Sequence, residues 1–312
     1  MVDSAQVIER LETCIRSVVL GKEDAIRLVV VALLAGEHVL LEDVPGVGKT
    51  LLGKALARSL GGRFRRIQFT PDLLPSDITG TSLYDSNLQE FRFRPGPVFA
   101  NVLLADEINR ATPRTQSALL EAMNERQVSA DGVTHPLPQP FIVIATQNPI
   151  EFEGTYPLPE SQLDRFLLRT PLGYPAREAE LDVLTSHRDG EPVDRLEPVL
   201  ECGQIVELQR QVRAVEVDQA IRGYLLDLIE ATRQCEEFHV GASPRAALAL
   251  YRAAQGLALT EGRQYTVPDD VKQLAVRVLA HRVIPKGYLH GDRREAVEAV
   301  VERLVDDVPA PV

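Results

Sequence analysis

The sequence predicts an α/β fold: a parallel sheet built round a phosphate-binding loop, with β-hairpins inserted, followed by an all-α domain. Three observations carry that expectation. Residues 39–52, VLLEDVPGVGKTLL, place an apolar run directly before a glycine-rich turn that ends in Gly48-Lys49-Thr50, with a helix-forming run behind it. Residues 102–107, VLLADE, form a second apolar run that delivers two carboxylates at its end, the edge at which open α/β sheets bind ligands. Beyond Gly173-Tyr174-Pro175 the strand signal stops and only helical spacing continues.

Taken in order, Val7, Leu11, Cys14, Ile15 and Val18 share one face at helical spacing and predict an opening helix. A helix follows over 28–35, then a strand over 38–41 and a helix over 50–60 that Gly61-Gly62 closes. After a strand over 64–69, residues 81–84 and 90–94 flank Asp85-Ser86-Asn87. There Phe91 and Phe93 alternate against Arg92 and Arg94, which reads as a hairpin inserted before the carboxylate strand of 102–105. Thr112 is placed as the N-cap of a helix over 113–123 whose Gln116, Leu119, Leu120 and Met123 share a face. Asp131-Gly132 marks a second hairpin between 127–130 and 133–135. FIVIAT, 141–146, is another buried strand, and 166–168 the last. Strands alternating with helices imply a parallel sheet covered on both faces. This core is expected to occupy 1–188. A segment rich in proline and charge, DGEPVDRLEP at 189–198, opens the second domain, 189–312, with helices near 200–213, 217–232, 244–260, 268–282 and 293–305. Ser243 stands as an N-cap there, and Pro244 and Pro268 occupy first turns.

The chemistry follows from the loop. Pro45, Gly46, Val47, Gly48, Lys49, Thr50 and Leu51 would turn backbone N–H groups and a helix N-terminus toward nucleotide phosphates; Lys49 reaches the β/γ-phosphates and the Thr50 hydroxyl ligates Mg²⁺. Asp43 stands where the usual pattern has its first glycine. Asp106 would hold the Mg²⁺, directly or through water, while Glu107 orients and deprotonates the water that attacks ATP. The bland alternative is an acidic strand end capping the next helix. Asn148, in TQNP, either holds that water or makes an Asn-Pro turn. Arg165, in LPESQLDRF, either inserts into a neighbouring subunit's site as a finger or pairs on the surface with Asp164. Arg110, three residues after Glu107, competes for the finger role, or pairs with Glu107 in an idle state.

Composition narrows the setting. A chain of 312 residues, 45% hydrophobic and 25% charged, suits two globular domains with a real core. A net charge of −11 gives no footprint for duplex DNA or an anionic membrane. Cys14, Cys202 and Cys235 lack metal-ligand or disulfide spacing and read as reduced, structural thiols. The N-terminus MVDSAQ has no signal-peptide pattern, and the longest apolar run, 28–35, is far short of a membrane span, so a soluble, cytoplasmic protein is expected.

Together the segments VVLGKED, EDVPGVGKT, QFTPDLLPSDITG, FRPGPVF, NVLLADEINRA, RTQSALLEAMNERQV, IATQNPIEFEGTYPLPESQLDRF and GASPRAALAL resemble the AAA+ ATPases, and among them the MoxR family, over about 18–281. The resemblance implies a homo-oligomer, a hexameric ring with ATP between protomers. In it Asn148 resembles the sensor-one residue, Arg165 the arginine finger and Arg245, which follows Ser243-Pro244, the sensor-two residue of a lid helix. Val19 and Gly21 resemble the adenine-proximal turn, and the hairpins resemble inserts that project toward a ring centre. It further implies ATP hydrolysis with Mg²⁺, driving chaperone-like remodelling, assembly or metal-cofactor maturation of a protein client. Recruitment through a von Willebrand factor A-domain protein is the partner expected from the resemblance. A DNA motor of the helicase or restriction type, and a nucleotide switch with little turnover, are the alternatives. No NKxD-type guanine-specificity run is present.

Overall fold

The computed structural model describes residues 4–87, 89–148, 155–186, 190–287 and 293–311. At its centre five parallel strands lie in the order β2-β5-β8-β1-β9: β2 (Phe64–Gln68), β5 (Val102–Asp106), β8 (Ile142–Gln147), β1 (Val39–Glu42) and β9 (Leu168–Thr170). The pleat sorts each strand's apolar residues into two cores. Val39, Leu41, Val102, Leu104, Ile142 and Ile144 face one side. Leu40, Leu103, Ala105, Val143 and Ala145 face the other. A sheet buried on both faces is what near-continuous apolar strands demand.

The first side is covered by α1 (Ser4–Arg16), α2 (Glu23–Ala35) and α3 (Lys49–Ser59), the second by α4 (Pro75–Thr79) and α5 (Pro113–Glu125). Pro113 takes the first turn of α5 as expected, but Thr112 caps no amide there; its hydroxyl meets that of Thr115 at 3.2 Å. Both hairpins form. β3 (Gly80–Asp85) pairs with β4 (Glu90–Pro95), and β6 (Gln127–Ala130) with β7 (Val133–Pro136). The Phe93 ring stacks on His135 at 3.9 Å and joins one hairpin to the other, while Tyr84 and Phe91 stay exposed.

Between β8 and β9 comes a single turn, α6 (Glu160–Leu163), and after β9 the helix α7 (Arg177–Ser186). The second half of the chain supplies α8 (Cys202–Ala214), α9 (Gln219–Gln234), α10 (Pro244–Thr260), α11 (Pro268–Leu279) and α12 (Arg293–Asp307). Ser243 caps α10 as expected, accepting the Ala246 amide at 3.2 Å. Where the sequence shows only helices, β10 (Phe238–Val240) and β11 (Ile284–Pro285) also make a short antiparallel pair. The helical half is not held apart: α8 and α10 pack on α2, so one apolar core runs from α1 and α2 into α8–α12. The segment rich in proline and charge that opens the second domain is held against the core from residue 190 on, with Val193 buried and the Val199 and Leu200 amides donating to Ser59 O; residue 189 and most of IEFEGT lie outside the described residues. Among the described residues no helix is long and apolar enough to cross a membrane.

Candidate active site

β1 is the strand from which the phosphate-binding loop springs. Its four residues are buried, and the chain leaves it at Asp43 and enters α3 at Lys49. Gly46 and Gly48 lie at φ +87° and +101°, a backbone conformation that only glycine adopts without strain, so they let the loop curl back over the helix N-terminus. The Lys49 ammonium donates to Asp43 O at 2.7 Å, and burial lowers its pKa against the opposing pull of Asp43, Asp106 and Glu107.

Asp43 has a structural reason for displacing the usual glycine. One carboxylate oxygen accepts the Val44 amide at 2.8 Å; the other accepts the amides of Leu172, at 2.7 Å, and Gly173. The base of the loop is thereby tied to the turn that follows β9. Lys22 closes the same corner, its ammonium donating to Gly173 O at 2.5 Å.

β5 delivers the two acids. The Asp106 carboxylate accepts the Thr146 hydroxyl through Oδ1 at 2.6 Å, and through Oδ2 two donors of Arg66, Nε at 3.1 Å and Nη2 at 2.5 Å. Glu107 sits at φ +56°, its amide donating to the Thr146 hydroxyl oxygen at 2.9 Å. Its Oε2 accepts Gln68 Nε2 at 2.6 Å and Arg110 Nη1 at 2.9 Å. Thr146, one strand over on β8, therefore sets the attitude of both acids, and two residues later Asn148 is buried at the rim of the same cavity.

That cavity, about 730 Å³, is lined by the loop from Pro45 to Leu51, by Asp106, Glu107 and Asn148, and on the far side by Val18–Leu20 and α7. Val19 lines this cavity. Gly21 does not line the cavity; it turns at φ +69° against α7, where a Cβ would come within 2.7 Å of Ala179 Cβ. Thr50 and Asp106 border one space with hard oxygen ligands, the donor type that Mg²⁺ takes alongside phosphate and water.

Arg165 and Arg245 are not in this group. Arg165 donates from Nη1 to Leu120 O at 2.8 Å. Arg245 donates to Asn124 Oδ1 at 3.1 Å and lies 3.7 Å from Asp164 Oδ2. Burial, and then the neighbouring Arg245 charge, lower the Arg165 pKa. Asp164 is also clasped by Arg282, a buried guanidinium in the single turn after α11 that donates to Asp164 Oδ1 at 2.8 Å, Phe166 O at 2.6 Å and Leu167 O at 2.9 Å. Arg165 and Arg245 therefore lie near each other at the junction of α5, α6 and α10, with the Glu121 and Glu125 carboxylates acting on Arg165. Arg110 pairs with Glu107 of its own site.

Sequence reading passed over Arg66, Gln68, Thr146 and Lys22. Arg66 and Gln68 share a side of β2, and the signal that would have found them is the cross-strand register Gln68↔Asp106. Thr146 is the one hydroxyl in FIVIAT.

This fold and this cavity define a phosphate-loop ATPase with a helical lid. Residues 38–168 match the family described as ATPase family associated with various cellular activities (AAA), and residues 230–304 match the AAA lid domain. The chain is 44% identical to Chaperone MoxR1 of Mycobacterium tuberculosis, over 97% of its own length and 82% of the relative's, and 50% identical to the uncharacterized protein YeaC of Bacillus subtilis, over 96% and 93%. The crystal structure of a putative ATPase from Cytophaga hutchinsonii superposes with a TM-score of 0.89 at 36% identity, covering 99% of this chain and 96% of that one. The chain belongs to the MoxR family of AAA+ ATPases.

Proposed function

We propose that residues 1–188 are a nucleotide-binding core and 189–312 its lid, and that ATP hydrolysis in the cavity drives chaperone-like remodelling, assembly or metal-cofactor maturation of a protein client. One observation carries the reading. Adjacent parallel strands β1, β8 and β5 bring Lys49, Asn148, Asp106 and Glu107 to a single cavity at the carboxyl edge of the sheet. The loop and Lys49 would bind the phosphates, Val19 would lie beside the adenine, and Thr50 and Asp106 would hold Mg²⁺, which would supply positive charge to the phosphates. Glu107 takes the proton from the attacking water that Asn148 orients. Arg165 serves a neighbouring protomer's site as a finger, and Arg245 acts as the sensor-two residue of the lid helix, in a homo-oligomeric ring of hexameric type, in the cytoplasm. A protein with a von Willebrand factor A domain is the adaptor this reading expects.

The tether on Glu107 favours a second reading within the same chemistry, a nucleotide switch with little turnover until a partner acts. The deciding experiment is phosphate release measured alone, with DNA and with candidate protein partners. Turnover abolished by Lys49→Ala and raised by a protein supports remodelling; stimulation by DNA alone moves the assignment to a motor.

A further inference from the structure

β2 is the edge strand of the sheet, and its parity decides what it offers the site. Ile67 and Phe69 enter the core beneath the sheet, whereas Phe64, Arg66 and Gln68 point to the opposite side, the Phe64 ring lying against Gly53 of α3. Of the two adjacent arginines in FRRIQ, only Arg66 has the parity to reach the cavity, and Arg66 and Gln68 both line it.

There Arg66 does two things at once. Two of its N–H groups converge on Asp106 Oδ2, at 3.1 and 2.5 Å, while Oδ1 is already engaged by Thr146. Its Nη2 also donates to Gln68 Oε1 at 3.0 Å, and the other end of that amide, Nε2, donates to Glu107 at 2.6 Å. A continuous line of hydrogen bonds therefore runs Asp106–Arg66–Gln68–Glu107. A guanidinium and a divalent cation compete for one carboxylate oxygen because both are positive and each needs its lone pairs.

We propose that Arg66 is a positioning residue that occupies the metal-binding oxygen of Asp106 and yields it when Mg²⁺ arrives, loosening the Gln68 tether on Glu107 as it leaves. Loading of Asp106 and release of the catalytic base are thereby one event. The inference rests on the assignment of Asp106 as a metal ligand made above.

The test follows binding of a fluorescent ADP analogue, which lacks the γ-phosphate, while free Mg²⁺ is titrated. Arg66 is half exposed, so Arg66→Ala is a mild change for the fold. In Arg66→Ala the Mg²⁺ concentration at half-effect should fall by about two- to fivefold, the scale of one half-exposed ion pair. In the Asp106→Asn background the same substitution should move nothing. An Arg66→Ala midpoint equal to or above that of the wild type overturns the role of Arg66 while leaving the nucleotide site intact. Nucleotide binding that is insensitive to Mg²⁺ in the wild type and unchanged in Lys49→Ala would overturn the site assignment and this inference together.

Discussion

Glu107 shows how a single side chain can be placed and restrained by the same neighbours. Its left-handed backbone is fixed from behind by Thr146, and its carboxylate is held from the front by Gln68 and Arg110. Those two donors engage Oε2, so that oxygen can meet a water only when they withdraw. Replacing the carboxylate by an amide of the same shape leaves Lys49, Thr50 and Asp106 in place. Glu107→Gln should therefore bind a fluorescent ATP analogue within about twofold of wild type. Phosphate release should fall by about 10² to 10⁴. Hydrolysis near the wild-type rate would mean the base lies elsewhere. Asp106, Lys49 and Glu107 were legible in the sequence because loop and strand end are short local patterns. Arg66, Gln68 and Thr146 were not, since what brings them to those acids is registry between strands far apart in the chain.

At the scale of elements, legibility tracked burial. The apolar strands and the helices with one buried face stood out, and the observed order follows the predicted one. α7 escaped because no described residue along it is buried, so it prints no apolar period. β10 and β11 escaped because strands of three and two residues are too short to show alternation. The junction of β1, β8 and α5 also makes a pH prediction. His38, buried just before β1, accepts the Val143 amide at Nδ1, 3.0 Å away, and faces Met123 O through Nε2 at 3.2 Å, the pattern of a neutral ring. Burial lowers its pKa from 6.5 to about 4. A depressed histidine binds its proton more readily unfolded than folded, so its stabilising effect is complete above pH 6.5 and drains away as pH falls toward 4. That amounts to about 2 kcal/mol by pH 5. His281, likewise lowered by burial, acts with the same sign. Urea midpoints at pH 7.5 and 5 should show the drop, and His38→Gln should flatten part of it; equal slopes in the two proteins would exclude His38 as a source.

For the molecule as a whole, the proposed service of Arg165 to a neighbour's site makes a prediction about mixtures. Turnover per protomer should rise with protein concentration, and doping wild type with Arg165→Ala should depress activity out of proportion to the fraction added, because each defective protomer would silence a neighbour's site. A strictly proportional decline would make Arg165 a residue of its own chain alone. Arg110→Ala in the same mixing assay should fall in proportion, since Arg110 sits against its own Glu107. Asp43 has a different consequence at this scale. By accepting the Leu172 and Gly173 amides it makes the stretch after β9, and the α7 wall beyond it, part of the same mechanical piece as the nucleotide loop. Deuterium uptake is the natural gauge of such a coupling, because those amides can exchange only when the carboxylate lets go. Asp43→Gly, which restores the commoner loop sequence, should speed uptake at Leu172 and Gly173, even with nucleotide bound. A glycine there would leave the nucleotide loop and the turn after β9 joined by the backbone of the sheet alone, so in this chain the departure from the usual pattern is what latches the two together.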